Sequence, residues 1–103
     1  MGFPCSQFKN QELGSDEEID EYIKKNFNVE FPMFSKIVVN GDECHPVYKY
    51  LKYHTPELRK DNGLKNVPWN FAKFLVNPNG EVIKFCNPTI NPKDMIEDIE
   101  KLL

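Results

Sequence analysis

The segment GFPCSQFKNQELGSDEEI, residues 2–19, contains the end of one predicted element and the start of the next. Residues 2–4 are apolar and end in proline, which is typical of the last residues of a buried strand that stops there. Ser15 followed three residues later by Glu18 is the signature of a capping box, in which a helix begins after the serine. The segment therefore predicts a strand, a loop and a helix, and it predicts that most of the strand precedes residue 2.

Apolar residues recur at helical spacing after this cap and predict one buried stripe. Acidic residues at the start and lysines at the end suit the two poles of the helix dipole. The stripe consists of Ile19, Tyr22, Ile23 and Phe27.

The middle of the chain predicts a short strand and a second helix. Residues 33–39 are apolar and end in β-branched residues before Asn40-Gly41, a turn signal. Pro46 suits the first turn of a helix because its missing N–H is not needed there. The predicted apolar face of this helix consists of Val47, Tyr50, Leu51 and His54.

The last part predicts a loop, a hairpin and a final helix. Residues 55–68 are polar and contain prolines and a glycine, which indicates a surface loop. Two apolar runs flank Asn77-Pro78-Asn79-Gly80, so residues 71–86 form a predicted β-hairpin. A helix is predicted after Asn91, with an apolar face of Met95, Ile96, Ile99 and Leu102. Three helix faces need a wider sheet than these strands supply, so a further strand is expected outside the chain.

Size and composition predict one globular domain over residues 1–103. Hydrophobic residues make up 40% and charged residues 28%, with a net charge of −3. This charge gives no clustered basic face for nucleic acid, and no apolar run is long enough for a membrane span. Three cysteines, an odd number without metal-ligand spacing, favour a reducing compartment, so the predicted location is cytoplasmic.

Three segments closely resemble the glutathione peroxidase family. They are the opening GFPCSQFKNQELGSDEEI, FPMFSKIVVNGDECHPVYKYL at 31–51, and PWNFAKFLVNPNGEVIKFCNPTINPKDMIEDIEKLL at 68–103. The resemblance implies an α/β, thioredoxin-like fold of the glutathione peroxidase type. It also implies that the N-terminal β-α portion, which carries the reactive cysteine or selenocysteine in the family, is missing.

Three residues match catalytic positions of the family. Gln11 matches the glutamine of its QE motif, and Trp69 and Asn70 match the tryptophan and asparagine of its WNF motif. In the family these side chains surround the thiolate or selenolate and donate hydrogen bonds to it. Such donors favour the anion, which is the form that attacks peroxide. Cys5 matches a cysteine at the end of the second core strand and not the attacking residue.

The resemblance implies a peroxidase that reduces hydrogen peroxide or organic hydroperoxides with a thiol such as glutathione, without a metal or organic cofactor. Lys24 stands where many thiol-dependent members have a resolving cysteine, which favours direct reduction by a small thiol. The short segment 52–68 is similar to that of monomeric members that accept lipid hydroperoxides. The chain alone is expected to be inactive. Its unpaired strand edges predict either a strand exchanged with a second copy or that the chain is one piece of a larger protein.

Several alternatives stay open at this point. The chain is also compatible with a non-catalytic thioredoxin-like binding module, or with a redox sensor that acts through Cys5 or Cys86. Trp69 taken by itself is typical of a core aromatic residue. A group of basic residues predicts either a solvated surface or a rim for carboxylates and head groups. The group consists of Lys9, Lys49, Lys52, Arg59, Lys60 and Lys65.

Overall fold

The computed structural model describes residues 1–103, which fold as two compact units, residues 1–45 and residues 46–103. The helices are α1 Asp16–Phe27, α2 Pro46–Tyr53 and α3 Ile96–Glu100. The strands are β1 Arg59–Lys60, β2 Gly63–Leu64, β3 Lys73–Val76 and β4 Val82–Cys86. They form two antiparallel two-stranded sheets, β1–β2 and β3–β4. The single domain over residues 1–103 stays a prediction.

Helix α1 begins where its capping residue predicts. The hydroxyl oxygen of Ser15 accepts a hydrogen bond of 3.1 Å from the Glu18 N–H, which satisfies one of the free donors of the first turn. The helix ends at Asn28, whose left-handed backbone (φ 51°) lets its N–H donate to the Lys24 carbonyl. Both ends of α1 are therefore determined by local side-chain and backbone chemistry.

The predicted buried stripe of α1 is only partly buried. Ile19 is 2% exposed, whereas Tyr22 is 47% exposed and Phe27 is 67% exposed. The two aromatic rings contact each other, with centroids 6.0 Å apart. The prediction was wrong for the second half of the helix because periodicity identifies a face, whereas burial requires a partner to cover it.

Residues 33–39 form a single parallel bridge instead of the predicted strand. The Gly2 N–H donates to the Pro32 carbonyl, and the Gly2 carbonyl accepts from the Phe34 N–H, both at 2.9 Å. A Cβ atom at Gly2 would lie 2.3 Å from the Met33 sulfur, so a larger residue at this position would require the Met33 side chain to move. The Ile37 N–H still donates to the Pro4 carbonyl at 2.9 Å, whereas the N–H groups of Val39 and Asn40 bond to a side chain.

Helix α2 begins at Pro46 as predicted, but it buries a different face. Val47 and Tyr50 are 40% and 46% exposed, whereas Lys52 is 2% exposed, as is Thr55 just after the helix. Tyr48 packs edge-on against a ring of β3, and the Tyr50 hydroxyl donates to the Gly80 carbonyl at 2.7 Å. With these contacts, the face of α2 that is buried differs from the predicted face by a rotation about the helix axis. Lys52 is therefore buried and does not belong to the predicted solvated basic surface.

Residues 55–68 are more ordered than the predicted loop. A 3₁₀ turn, Pro56–Leu58, leads into β1, and β1 pairs with β2 across the two residues Asp61 and Asn62. Leu58 and Val67 are buried at 5% and 3% exposure. The sequence Asp-Asn-Gly at 61–63 was an available turn signal for this small hairpin.

The hairpin of β3 and β4 is confirmed, although its first strand begins at Lys73 instead of residue 71. The Asn77 side-chain oxygen accepts from the Asn79 and Glu81 N–H groups, at 3.0 and 2.9 Å. Gly80 has φ +86°, a conformation that glycine adopts without steric strain. The register pairs Lys73 with Cys86. Turn chemistry local to residues 77–81 therefore determines how these strands meet.

The final helix is shorter than its apolar pattern predicts. The Asn91 side chain accepts from the Lys93 N–H at 3.0 Å and starts a 3₁₀ segment, Pro92–Met95, before α3. Met95 is buried at 7% exposure, whereas Ile96 and Ile99 are 51% and 40% exposed. None of the helices combines the length and the apolar character needed to cross a membrane.

An ion pair joins α3 to β4. The Lys84 ammonium lies 2.8 Å from the Asp98 carboxylate. This hydrogen bond raises the pKa of Lys84 and lowers the pKa of Asp98 from their ordinary values. The lowered carboxyl pKa adds stability above pH about 4, which is lost as the pH falls through the native pKa. Both groups are solvent-exposed, so the contribution of this pair is small.

Candidate active site

Trp69 and Asn70 lie next to each other in a turn that precedes β3. Val67 is buried before this turn, and Pro68 restricts it to an extended backbone. The Trp69 ring is 40% exposed and the Asn70 side chain is half-buried. The turn therefore presents an indole N–H donor and an amide donor at the surface of the second unit.

A left-handed residue ends this turn. Phe71 has φ 67°, an unusual conformation for a bulky side chain, and it is 82% exposed. The Lys73 ammonium donates to the Phe71 carbonyl at 2.7 Å and to the Ile90 carbonyl at 2.8 Å. Such strain persists only where surrounding contacts hold it, and it occurs often at functional sites.

Gln11 is exposed and follows a tight turn in the first unit. Lys9 and Asn10 both have left-handed backbones, with φ 57° and 51°, and the Asn10 N–H donates to the Ser6 carbonyl at 3.1 Å. Two consecutive left-handed residues other than glycine are uncommon. This strained turn places the Gln11 amide at the surface after the apolar segment that begins the chain.

The three predicted residues belong to different units. The structure brings Trp69 and Asn70 together in residues 46–103, and it places Gln11 in residues 1–45. The convergence of all three donors on one anion stays a prediction.

Gln7 is a residue that the sequence analysis missed. Its side-chain oxygen accepts from the Val39 and Asn40 N–H groups at 2.7 and 2.9 Å, and its amide nitrogen donates to the Asn40 carbonyl at 2.9 Å. The Gln7 side chain thus makes the hydrogen bonds that the backbone of a neighbouring strand would otherwise make. It anchors the turn that precedes Gln11. No local pattern predicts bonds over 32 and 33 residues of separation.

Replacing Gln7 by methionine is expected to lower the free energy of unfolding by about 1–2 kcal/mol, because the N–H of buried Val39 loses its acceptor. Gln7→Glu keeps an acceptor oxygen for both N–H groups and is expected to lose less. Urea unfolding and amide hydrogen exchange at Val39 measure both effects. Unchanged exchange at Val39 in Gln7→Met would contradict the anchoring role.

The three cysteines are free and differ in exposure. Cys44 is buried at 4% exposure, and its thiol donates to the Val39 carbonyl at 3.1 Å. Cys86 is buried at 2% exposure, which withholds it from solvent and counts against a sensor role. Cys5 is half-buried, with its sulfur 3.5 Å from the Gln7 N–H nitrogen. Packing accounts for Cys44 and Cys86.

Comparison with known proteins shows the class of fold and then the family. The model of the family "Glutathione peroxidase" matches residues 1–52. The crystal structure of Trgpx in apo form superposes with a TM-score of 0.72 at 39% identity, covering 98% of this chain and 54% of that chain. The fold is therefore α/β and thioredoxin-like, as predicted.

Relatives match along the whole chain. It is 47% identical over 103 residues to the glutathione peroxidase homolog BsaA of Bacillus subtilis, covering 62% of that protein. It is also 47% identical to the Arabidopsis thaliana protein named "Probable phospholipid hydroperoxide glutathione peroxidase 6, mitochondrial", covering 43% of it. This chain belongs to the glutathione peroxidase family, a family of oxidoreductases, and it spans less than two thirds of the length of these relatives.

Proposed function

We propose that this chain is part of a thiol-dependent peroxidase that reduces hydrogen peroxide or organic and lipid hydroperoxides to water or alcohols, and thereby serves the response to oxidative stress. The observation that carries the proposal is 47% identity over all 103 residues to a glutathione peroxidase homolog. The name of the Arabidopsis thaliana relative supports phospholipid hydroperoxides as substrates.

In this proposal Gln11, Trp69 and Asn70 donate hydrogen bonds to a thiolate or selenolate. That anion attacks one peroxide oxygen, the O–O bond breaks, and the leaving hydroxide or alkoxide takes up a proton. The products are water or an alcohol and a sulfenic or selenenic acid. The donors stabilise the attacking anion and the charge that develops on the leaving oxygen. The surface positions of Gln11 and Trp69 support this role.

The nucleophile in this proposal comes from outside residues 1–103. The support is that Gln11, Trp69 and Asn70 match supporting positions of the family, whereas Cys44 and Cys86 are buried. The reduced state is restored by glutathione or another small thiol, and the reaction uses no metal or organic cofactor. Lys24 at the position of a resolving cysteine supports a small-thiol reductant, and it is occupied in an exposed ion pair with Asp20.

The assembly and location follow as further proposals. The longer protein is a monomer in the cytoplasm, and the isolated chain exchanges a strand with a second copy. The support for exchange is that β3 and β4 form a sheet of two strands, which leaves an edge of each strand without a backbone ladder. Sedimentation of the isolated chain measures its mass directly.

Completing the chain tests the peroxidase function. Residues 1–103 are joined to the part of the Bacillus subtilis protein that they do not cover, and peroxide consumption is measured with glutathione. The chimera is expected to turn over, whereas the chain alone stays at the background rate of its free thiols. The Bacillus subtilis protein is the positive control.

Two results contradict the proposal. A folded chimera that consumes peroxide no faster than free cysteine would contradict the peroxidase function and favour a binding module. Activity of residues 1–103 alone, well above background and lost on Gln11→Ala, would contradict an external nucleophile.

A further inference from the structure

A charged side chain binds the turn that carries Trp69 and Asn70. Lys73 stands at the start of β3, and its ammonium reaches back over two residues to the Phe71 carbonyl at 2.7 Å. It also reaches forward over 17 residues to the Ile90 carbonyl at 2.8 Å. One ammonium therefore links the turn before β3 to the loop after β4.

The loop end of this link is itself ordered. The Ile90 N–H donates to the Asn87 carbonyl at 3.0 Å, and the Asn87 side-chain oxygen accepts from the Thr89 N–H at 2.9 Å. Lys73 is thus held between a structured loop and a strained turn. Charge-assisted hydrogen bonds to carbonyl oxygens are stronger than neutral ones, so this ammonium is suited to hold the strained backbone of the turn in place.

The strain lies at the residue that follows Asn70. The left-handed backbone of Phe71, at φ 67°, determines the direction in which the chain leaves Asn70. A bulky side chain adopts this conformation only when contacts hold it there. The exposed Phe71 ring, at 82%, supplies little packing, whereas its carbonyl is bound by Lys73.

We propose that Lys73 is a positioning residue that holds the Trp69–Asn70 turn in the geometry in which its side chains act as donors. This inference rests on the proposed function for its role in peroxide reduction, but the link itself is a property of the chain. The β3–β4 hairpin has its own ladder and turn bonds, so Lys73 is not needed to form it.

Trp69 makes the proposal measurable, because it is the only tryptophan among 103 residues. In Lys73→Met we expect a shifted emission maximum and a Stern–Volmer constant for acrylamide raised by roughly twofold, as local opening exposes the ring. Lys73→Arg keeps two donors at similar reach and is expected to restore both values. Lys84→Met, which removes an exposed lysine of β4, is the matched control and should change neither.

Two further measurements distinguish positioning from general destabilisation. Far-UV circular dichroism establishes that each variant is folded at the temperature of the quenching experiment. In wild-type chain, NMR is expected to show a protected Lys73 ammonium with scalar couplings to the Phe71 and Ile90 carbonyls. Absence of these couplings overturns the proposal even if Lys73→Met fails to fold.

Unchanged Trp69 emission and unchanged amide shifts at residues 70–72 in folded Lys73→Met also overturn it. The fluorescence and NMR results do not depend on catalysis, so they stand if the completed chimera lacks activity and the proposed function fails. If the chimera is active, Lys73→Met is expected to lower kcat about tenfold or more with little change in KM, and Lys73→Arg to recover it. A Lys73→Met chimera with wild-type kcat would contradict a part in the reaction.

Discussion

Alanine in place of Gln11 is expected to lower kcat/KM for hydrogen peroxide in the completed chimera by about 10²–10³, the usual effect of removing one donor that stabilises developing charge. Trp69→Phe and Asn70→Ala are expected to act in the same direction. Each variant removes donors to the thiolate, so the thiolate pKa rises and the pH–rate profile shifts to higher pH. Steady-state kinetics from pH 5 to 9 measure the loss of kcat/KM and the shift of the pH–rate profile, because this range includes the ordinary pKa of a thiol.

Combining these substitutions is informative because the three donors are proposed to act on one anion. We expect the triple variant to lose much less than the product of the single effects, as is usual for residues that act as a unit. Asn62→Ala, at the exposed tip of the β1–β2 hairpin, is the matched control for Asn70→Ala and should leave the kinetics unchanged. Losses smaller than about threefold in all three single variants would remove these residues from the mechanism.

Ile19→Ala is expected to lower the free energy of unfolding by about 2–4 kcal/mol, the largest stability effect predicted here. Ile19 is 2% exposed and is the only buried residue of α1. Its truncation removes the main anchor of the helix and leaves a cavity. Urea unfolding monitored by circular dichroism measures the change, and the denaturant slope shows whether unfolding stays cooperative.

Ile96→Ala is the matched control for this prediction. It deletes the same atoms from a helix, but Ile96 is 51% exposed, so we expect a loss below about 1 kcal/mol. Equal losses in the two variants would show that α1 is not anchored through Ile19. Amide exchange over residues 16–27 in Ile19→Ala then reports whether the helix itself opens.

Local signals predicted where elements begin and end. Ser15 starts α1, Pro46 starts α2, and Asn77 to Gly80 turn the chain between β3 and β4, all as predicted. Each of these signals acts over at most four residues. The chemistry that satisfies the first turn of a helix or a tight turn is therefore present in the sequence itself.

Burial was predicted less well. The pattern of α2 selected Val47 and Tyr50, whereas the structure buries Lys52 and Thr55. Periodicity shows which residues share a face, but which face is covered depends on partners elsewhere in the chain. For the same reason residues 33–39 were predicted to be a strand, although Met33 alone forms a bridge, with Gly2, and the Val39 N–H bonds to the Gln7 side chain.

The sequence by itself determined the family, through three long matching segments, and the ends of most helices and turns, through local bonding. Only the tertiary structure showed that the Gln7 amide bonds to Val39 and Asn40 and that the Lys73 ammonium bonds to the Phe71 and Ile90 carbonyls. Most of these bonds join groups that are 17 to 33 residues apart in the sequence. The bond from Lys73 to the Phe71 carbonyl is local, but its acceptor is a backbone group that every residue has. The physical reason is that backbone acceptors and donors carry no sequence signature, so their long-range partners are determined only when the chain folds.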